Sequence, residues 1–194
     1  MISATTIIQT TYGAFTINFH KDDGNERVSF VYGDVTVGEP IIRIHSSCLF
    51  GESFHSLHCD CEHQLTETMK AIVENGNGLI LYAYEEGRGI GLENKIRAME
   101  IERTSGVDTV EAFRTLGLDA DPRNFKIAGD MLKDLRVSKT IKSFSGNPRK
   151  RKVLEEAGFI IVKEMEIDGI VLNDIAKKEK SVKQKKMGYT YKND

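Results

Sequence analysis

Three cysteines, Cys48, Cys59 and Cys61, are the only ones in this chain of 194 residues, and they fall within 14 consecutive positions. Thiolates are good zinc ligands, and zinc takes four ligands in a tetrahedron. The pattern Cys48-x10-Cys59-x-Cys61 therefore offers three ligands and leaves one place. Water in that place makes the site catalytic, because zinc brings the pKa of a bound water down to about 7. A histidine there makes it closed and structural, and His45, His55, His58 and His63 are all near enough in sequence. The spacing leaves both arrangements open, together with buried cysteines that hold no metal. An odd cysteine count argues against a disulfide framework. The opening MISATTIIQTTYGAF has neither a basic start nor a long apolar run, so it does not read as a secretory leader. A reducing, cytoplasmic setting is expected.

Three further segments carry chemically useful side chains. Glu85-Glu86-Gly87-Arg88-Gly89-Ile90-Gly91 follows the apolar run LILYAY and precedes a helical pattern. It departs from the dinucleotide fingerprint and by itself reads as a tight strand-to-helix turn. Yet a carboxylate can accept both N–H groups of a guanine edge, and an arginine can clamp phosphate. In Asp119-Ala120-Asp121-Pro122-Arg123, Pro122 pushes Asp121 toward extended backbone. Asp121 and Arg123 then share a face, either as a catalytic pair or as a surface ion pair. Ser145-Gly146-Asn147-Pro148-Arg149-Lys150-Arg151 ends a strand and opens a helix with proline in its first turn. Its basic groups could hold a triphosphate or simply face solvent.

These segments need elements to hold them. Phe15, Ile17 and Phe19 alternate with polar neighbours, as a half-buried strand requires. Val28–Tyr32 and Ile41–Ile44 read as further strands, and Leu79–Tyr84 as a fully buried one. Leu65–Glu74, Glu93–Arg103, Val110–Leu116 and Arg149–Ala157 have helical spacing, and Phe159–Val162 returns as a strand. The expected class is α/β (α+β), a mixed sheet with flanking helices in one domain, 1–194. Lys177, Lys178, Lys180, Lys183, Lys185 and Lys186 crowd a basic tail at about 177–194. That tail reads as a solvated helix face or frayed end.

Composition sets the outer limits. Hydrophobic residues make up 40% and charged residues 29%, which suits a globular chain with a real core. The net charge of -2 gives no basic surface for nucleic acid. No apolar run is long enough for a membrane span.

Taken in order, these segments resemble GTP cyclohydrolase II, the enzyme family that opens the guanine ring at the start of riboflavin synthesis. The likeness runs from Phe30-Val31-Tyr32-Gly33-Asp34 through RIHSSCLFGESFHSLHCDCEHQL, EEGRGIGLENKIRA, DTVEA, DADPRNF and GNPRK to Lys186-Met187-Gly188. It implies one zinc per chain on Cys48, Cys59 and Cys61 with water as fourth ligand. It implies nucleotide contacts at Arg43, Ile44, His45, Ser46 and Ser47, and at Gln64, Glu86, Gly87, Arg88, Thr109, Ser145 and Lys150. Asp121 matches the family's proposed general base and Arg123 its proposed nucleophile on the α-phosphate. A guanidinium keeps its proton to beyond pH 12, so a charge clamp is the plainer role for Arg123. The implied reaction opens the C8–N9 bond of GTP, releases C8 as formate and releases pyrophosphate, with Mg²⁺ on the triphosphate. The family is homodimeric.

Four positions depart from the family pattern. Ser47 stands where it has Glu, Ser145 where it has Thr, and Tyr84 where basic residues are common. Met99 replaces a tyrosine near the reacting base. A phenol can orient water or move a proton, and a thioether cannot. Ring opening could then stop at a formyl-retaining formamidopyrimidine nucleotide. A catalytically inactive guanine-nucleotide-binding homologue is the other alternative.

Overall fold

The computed structural model describes residues 2–22, 25–166 and 172–191. An antiparallel meander comes first: β1 (Ile2–Gln9), β2 (Ala14–Asp22) and β3 (Asn25–Tyr32). Next come β4 (Ile41–Ser46), α1 (Leu49–Phe54), α2 (Cys61–Asn75) and β5 (Gly78–Ala83). A 3₁₀ turn at Glu86–Gly89 leads into α3 (Gly91–Ser105) and α4 (Thr109–Thr115). The chain continues with α5 (Lys126–Asp134), β6 (Thr140–Phe144), α6 (Pro148–Glu156), β7 (Ile160–Met165) and α7 (Asp174–Met187).

The strands form one sheet in the order β1-β2-β3-β5-β4-β6-β7. Pairing is antiparallel from β1 to β5 and parallel from β5 through β4 and β6 to β7. This is the expected mixed α/β sheet. Alternation along the central strands sorts the core. Ile42 and Ile44 of β4 and Leu79 and Leu81 of β5 pack with Ala128, Met131 and Leu132 of α5 and Leu154 of α6. Ile41 and Ile80 turn to the other face, against Phe15, Phe144 and Ile72 of α2. Side chains repeat every second residue along a strand, so Arg43 and His45 share the Ile41 face. A third, smaller cluster joins α3 to α4 through Ala98, Ala112 and Phe113.

Three elements go beyond the sequence-based expectations. The strand β1 is exposed along its whole length and so has no burial alternation to read. The helix α1 has 6 residues, too few to show a helical period. The helix α5 was also not expected. In addition, α2 begins at Cys61, ahead of the expected Leu65, which puts a cysteine in its first turn.

The lysine-rich end is helical to Met187, and its last residues, 192–194, lie outside the described set. Its lysines are not all solvated as expected. Lys183 lies 3.8 Å from Glu179 and 4.0 Å from Asp60, and Lys186 pairs with Asp108 and Glu111. Carboxylates from two other segments, Asp60 before α2 and Asp108 and Glu111 at the start of α4, thus draw this face inward.

Candidate active site

The loops that leave the C-terminal ends of β4, β5 and β6 open into one cleft of about 830 Å³, with α7 along one wall. Ligand sites favour this end of parallel strands. Most of the residues singled out from sequence meet here. Arg43, His45, Ser46, Ser47, Gln64, Glu86, Gly87, Arg88, Met99, Thr109, Arg123, Ser145 and Lys150 line the cleft together with Cys48, Cys59 and Cys61. Two do not. Ile44 points into the core, and only its carbonyl faces the site, accepting from Lys150 Nζ at 2.7 Å. Asp121 stands behind Arg123 and is absent from the lining.

The three Sγ atoms lie within 4.8 Å of one another, and among the described residues no histidine or carboxylate joins that group. Cys48 Sγ and Cys59 Sγ are 3.6 Å apart. The cradle depends on Gly51, since a Cβ there would sit 2.7 Å from Cys59 Sγ and 3.3 Å from Cys48 Sγ. Bonds from the Cys59 and Cys61 thiols hold the Cys48 thiol far below its usual range, and the Lys95 ammonium and Gly51 N–H add to this. Cys59 is correspondingly pushed up to about 11, with burial adding to the effect. Three clustered thiols in a pocket only a glycine leaves open form a donor set that fits a tetrahedral zinc with one free place.

Beside the cysteines runs a buried polar chain. Arg43 donates through Nε to His45 Nδ1 at 2.9 Å, through Nη1 to the Phe144 carbonyl at 3.1 Å, and through Nη2 to Gln64 Oε1. Gln64 donates in turn to Asp60 at 2.7 Å. With Nδ1 accepting, the His45 proton is on Nε2 and goes to Glu52 Oε1 at 3.0 Å. Glu52 also accepts from Cys48 N at 2.8 Å and from the Tyr82 hydroxyl at 2.8 Å. Burial pushes the pKa of His45 down to about 4, helped by the Arg43 and Lys150 charges and opposed by Glu52. Both ring nitrogens are occupied, so His45 is a strut and offers no fourth metal ligand.

The turn after β5 is tightly wound. Arg88 has a left-handed φ of 60°, which costs a non-glycine residue about 1 kcal/mol. Its guanidinium is held by Glu179 of α7 at 2.6 Å and by the Ala120 carbonyl at 3.3 Å, and it stacks over Phe113. The Glu86 carboxylate is engaged by Lys95 Nζ at 2.6 Å and Leu49 N at 2.7 Å. It therefore ties the turn to α3 and to the helix beside the cysteines. Thr109 opens α4, which Asp108 caps by accepting from Val110 N and Glu111 N.

Beside Ser46, Arg123 and Asp121 form a two-pronged pair, with Nε to Oδ1 and Nη2 to Oδ2 each at 2.7 Å. Burial opposes both charges, but their mutual bonds prevail: Asp121 is held below the usual carboxylate range and Arg123 is raised. Arg123 Nη1 also donates to Ser46 Oγ at 3.2 Å, and Nη2 to the Tyr189 hydroxyl at 3.2 Å. Burial drives the Lys150 pKa well down, and the nearby Arg123 and Arg43 charges add to this.

Several cleft residues were not singled out as site residues from sequence: Asp60, Lys95, Asn147, Glu179, Lys183 and Tyr189, with Glu52 bonded to His45 and Cys48 N behind them. Those on α7 sit in a run of lysines whose natural reading is solvated. Asn147 had a visible signal, since an asparagine before proline is a helix cap. It accepts from Arg149 N at 2.9 Å.

The chain is similar to several known proteins. The sequence profile described as GTP cyclohydrolase II matches residues 2–166. A "GTP cyclohydrolase-2" of Haemophilus influenzae is 41% identical over 186 residues, covering 94% of this chain and 85% of its own. One from Aeromonas hydrophila is 45% identical over 154 residues, covering 78% of this chain and 77% of its own. Among solved structures, a two-domain 3,4-dihydroxy-2-butanone 4-phosphate synthase from A. baumannii aligns at a TM-score of 0.49 and 16% identity. That alignment covers 87% of this chain and 40% of that one.

Proposed function

Because the chain belongs to the GTP cyclohydrolase II family, and so is a hydrolase acting on GTP, we propose that it opens the imidazole ring of GTP in riboflavin synthesis. Pyrophosphate and formate leave, and a pyrimidine ribotide remains. The observation that carries this is the meeting, in one cleft, of the cysteine cluster and of Arg123 backed by Asp121.

Cys48, Cys59 and Cys61 would hold the zinc, which supplies a Lewis acid for activating water at neutral pH. Gly51 keeps room for it, and Lys95 faces the Cys48 thiolate at 3.3 Å. Arg43, Gln64 and Asp60 form a fixed polar wall beside this end of the cleft. Thr109 and Arg88 bound the cleft on the α3–α4 side. The triphosphate belongs against Arg123, Ser145 and Lys150, with Mg²⁺ shielding its charge.

Arg123 acts as a clamp that stays charged, because Asp121 occupies its fork and favours the guanidinium. Asp121 is then the residue that orients the clamp. Both its oxygens are already taken by Arg123, and Arg149 Nη1 approaches Oδ2 at 3.2 Å. That leaves it poorly placed to accept a proton from substrate.

One observation favours a second outcome. Met99 lines the cleft from α3, so a thioether stands in the cleft wall where the family has a phenol. Ring opening that keeps the formyl group is the product this position favours. The homodimer of the family is part of the proposal, and the uncovered edge strand β1, with Ile7 65% exposed, supports it. A cytoplasmic setting is consistent with the helices described, none of which is long and apolar enough to cross a membrane.

The test is the product mass from the zinc-loaded protein with GTP and Mg²⁺, with formate and pyrophosphate assayed alongside. A diaminopyrimidine ribotide with matching formate establishes the main reaction. A product that keeps one formyl group establishes the second. GTP binding with no product would leave an inactive nucleotide-binding homologue.

A further inference from the structure

The phenol of Tyr189 lies just beyond the end of α7. Its oxygen accepts from Asn147 Nδ2 at 2.7 Å and from Arg123 Nη2 at 3.2 Å. A tyrosine hydroxyl has one proton to give and two lone pairs to accept with. Both accepting directions are filled by N–H groups that can only donate, so the hydroxyl proton must point elsewhere. The ring lies in the cleft wall, at the end bounded by Arg123, Ser145 and Lys150.

The segment that carries Tyr189 is fixed in place. Gly188 adopts a left-handed φ of 68° and ends the helix, and Tyr189 N donates back to the Lys183 carbonyl at 3.2 Å. Thr190 N donates to the Gly146 carbonyl at 3.0 Å. The approach is so close that a Cβ on Gly146 would lie 2.3 Å from the Thr190 oxygen. The Tyr189 ring stacks on Tyr191 with centroids 5.9 Å apart. Asn147 caps α6 through Oδ1 and holds Tyr189 through Nδ2, so one side chain couples the basic turn to the C-terminal segment.

We infer that Tyr189 is a working residue of the phosphate end of the site, orienting the Arg123 guanidinium and donating its hydroxyl hydrogen bond to a phosphoryl oxygen of the nucleotide. The contact is a hydrogen bond only, and no proton is transferred. The inference rests on the proposed action on GTP and on Arg123 as the phosphate clamp.

The experiment compares the zinc-loaded full-length protein with its Tyr189→Phe variant, which keeps the ring and its stack and removes only the oxygen. Pyrophosphate release from GTP is measured across GTP concentrations, with melting temperature and zinc content as controls. A hydrogen bond to a charged group lost from the nucleotide predicts kcat/KM lower by about tenfold to a hundredfold. Melting temperature and zinc content should stay close to the parent's. An unchanged kcat/KM would overturn the inference. So would a fall in rate matched by a lower melting temperature or lost zinc, which would make Tyr189 a structural residue. If the parent itself releases no pyrophosphate, it is the GTP reading that fails, and the two failures are told apart.

Discussion

Arg123 grips Asp121 with two parallel hydrogen bonds of 2.7 Å, and both side chains are under one-tenth exposed. This fork-on-fork geometry fixes the plane of the guanidinium as well as its charge. Arg123 Nη1 and Nη2 are left facing Ser46 and Tyr189, which aims the charged edge into the cleft. To act as a nucleophile, Arg123 would have to lose a proton that Asp121 helps it keep.

Replacing Asp121 by Asn should therefore cost the clamp its aim without removing its charge. Pyrophosphate release is expected to fall by about a hundredfold to a thousandfold, the usual loss for a misplaced electrostatic stabiliser. Arg123→Lys should be as poor, because an ammonium cannot reproduce the two-pronged bond. A lysine variant with the parent's rate would show that charge alone is needed.

Gly51 is the cheapest way to test the metal site. Gly51→Ala places a methyl group 2.7 Å from Cys59 Sγ and 3.2 Å from Cys61 Cβ. Alanine suits a helix, so the fold should hold while zinc is lost. Elemental analysis should find about one zinc per parent chain and well under half in the variant. Full zinc occupancy in the variant would rule out this cradle as the metal's seat.

Met99→Tyr returns a phenol to the cleft wall. If the thioether limits the second hydrolysis, the variant should release more formate per pyrophosphate than the parent, by about tenfold or more for a restored acid–base group. Equal ratios in the two proteins would make Met99 a neutral lining residue.

Stability should carry the mark of His45. Its pKa is 6.5 when unperturbed and is pushed down to about 4 in the fold by burial. Between those values the unfolded chain takes up a proton that the folded chain refuses. Stability present above pH 6.5 is thus lost as the pH falls toward 4, by about 3 kcal/mol. Urea unfolding at pH 7.5 and pH 5 should show the drop in the parent and a smaller one in His45→Gln. Equal drops would place the titration on another group.

Much of the site could be read from the chain itself because its chemistry is compact there. The cysteines lie within 14 residues, and Asp121 and Arg123 pair across one proline, as extended backbone requires. Other parts depended on contacts between distant segments. Nothing local marks Tyr189 as a partner of Arg123, 66 positions away. Lysines at 183 and 186 read as solvated until Asp60 and Asp108 are brought beside them. Ile44 shows a signal that was available: in a strand, neighbours of Arg43 and His45 must face the other way. Its place in the core follows from alternation alone.

The way α7 is attached has a consequence of its own. The helix buries one side chain, Ala176, and is otherwise fastened by charge pairs: Glu179 to Arg88, Lys183 to Asp60, and Lys186 to Asp108 and Glu111. The Lys186 pairs are the more exposed and weaken with added salt, whereas the Glu179–Arg88 and Lys183–Asp60 pairs are under one-fifth exposed and are screened much less. Segments with little apolar burial open by local unfolding at a fraction of the global free energy. The contact of α7 with α4 is therefore the part of this wall most open to salt, while Glu179, Lys183 and the Tyr189 segment hold the rest in place. Added salt then acts first on the seam between α7 and α4, separately from the stability of the sheet.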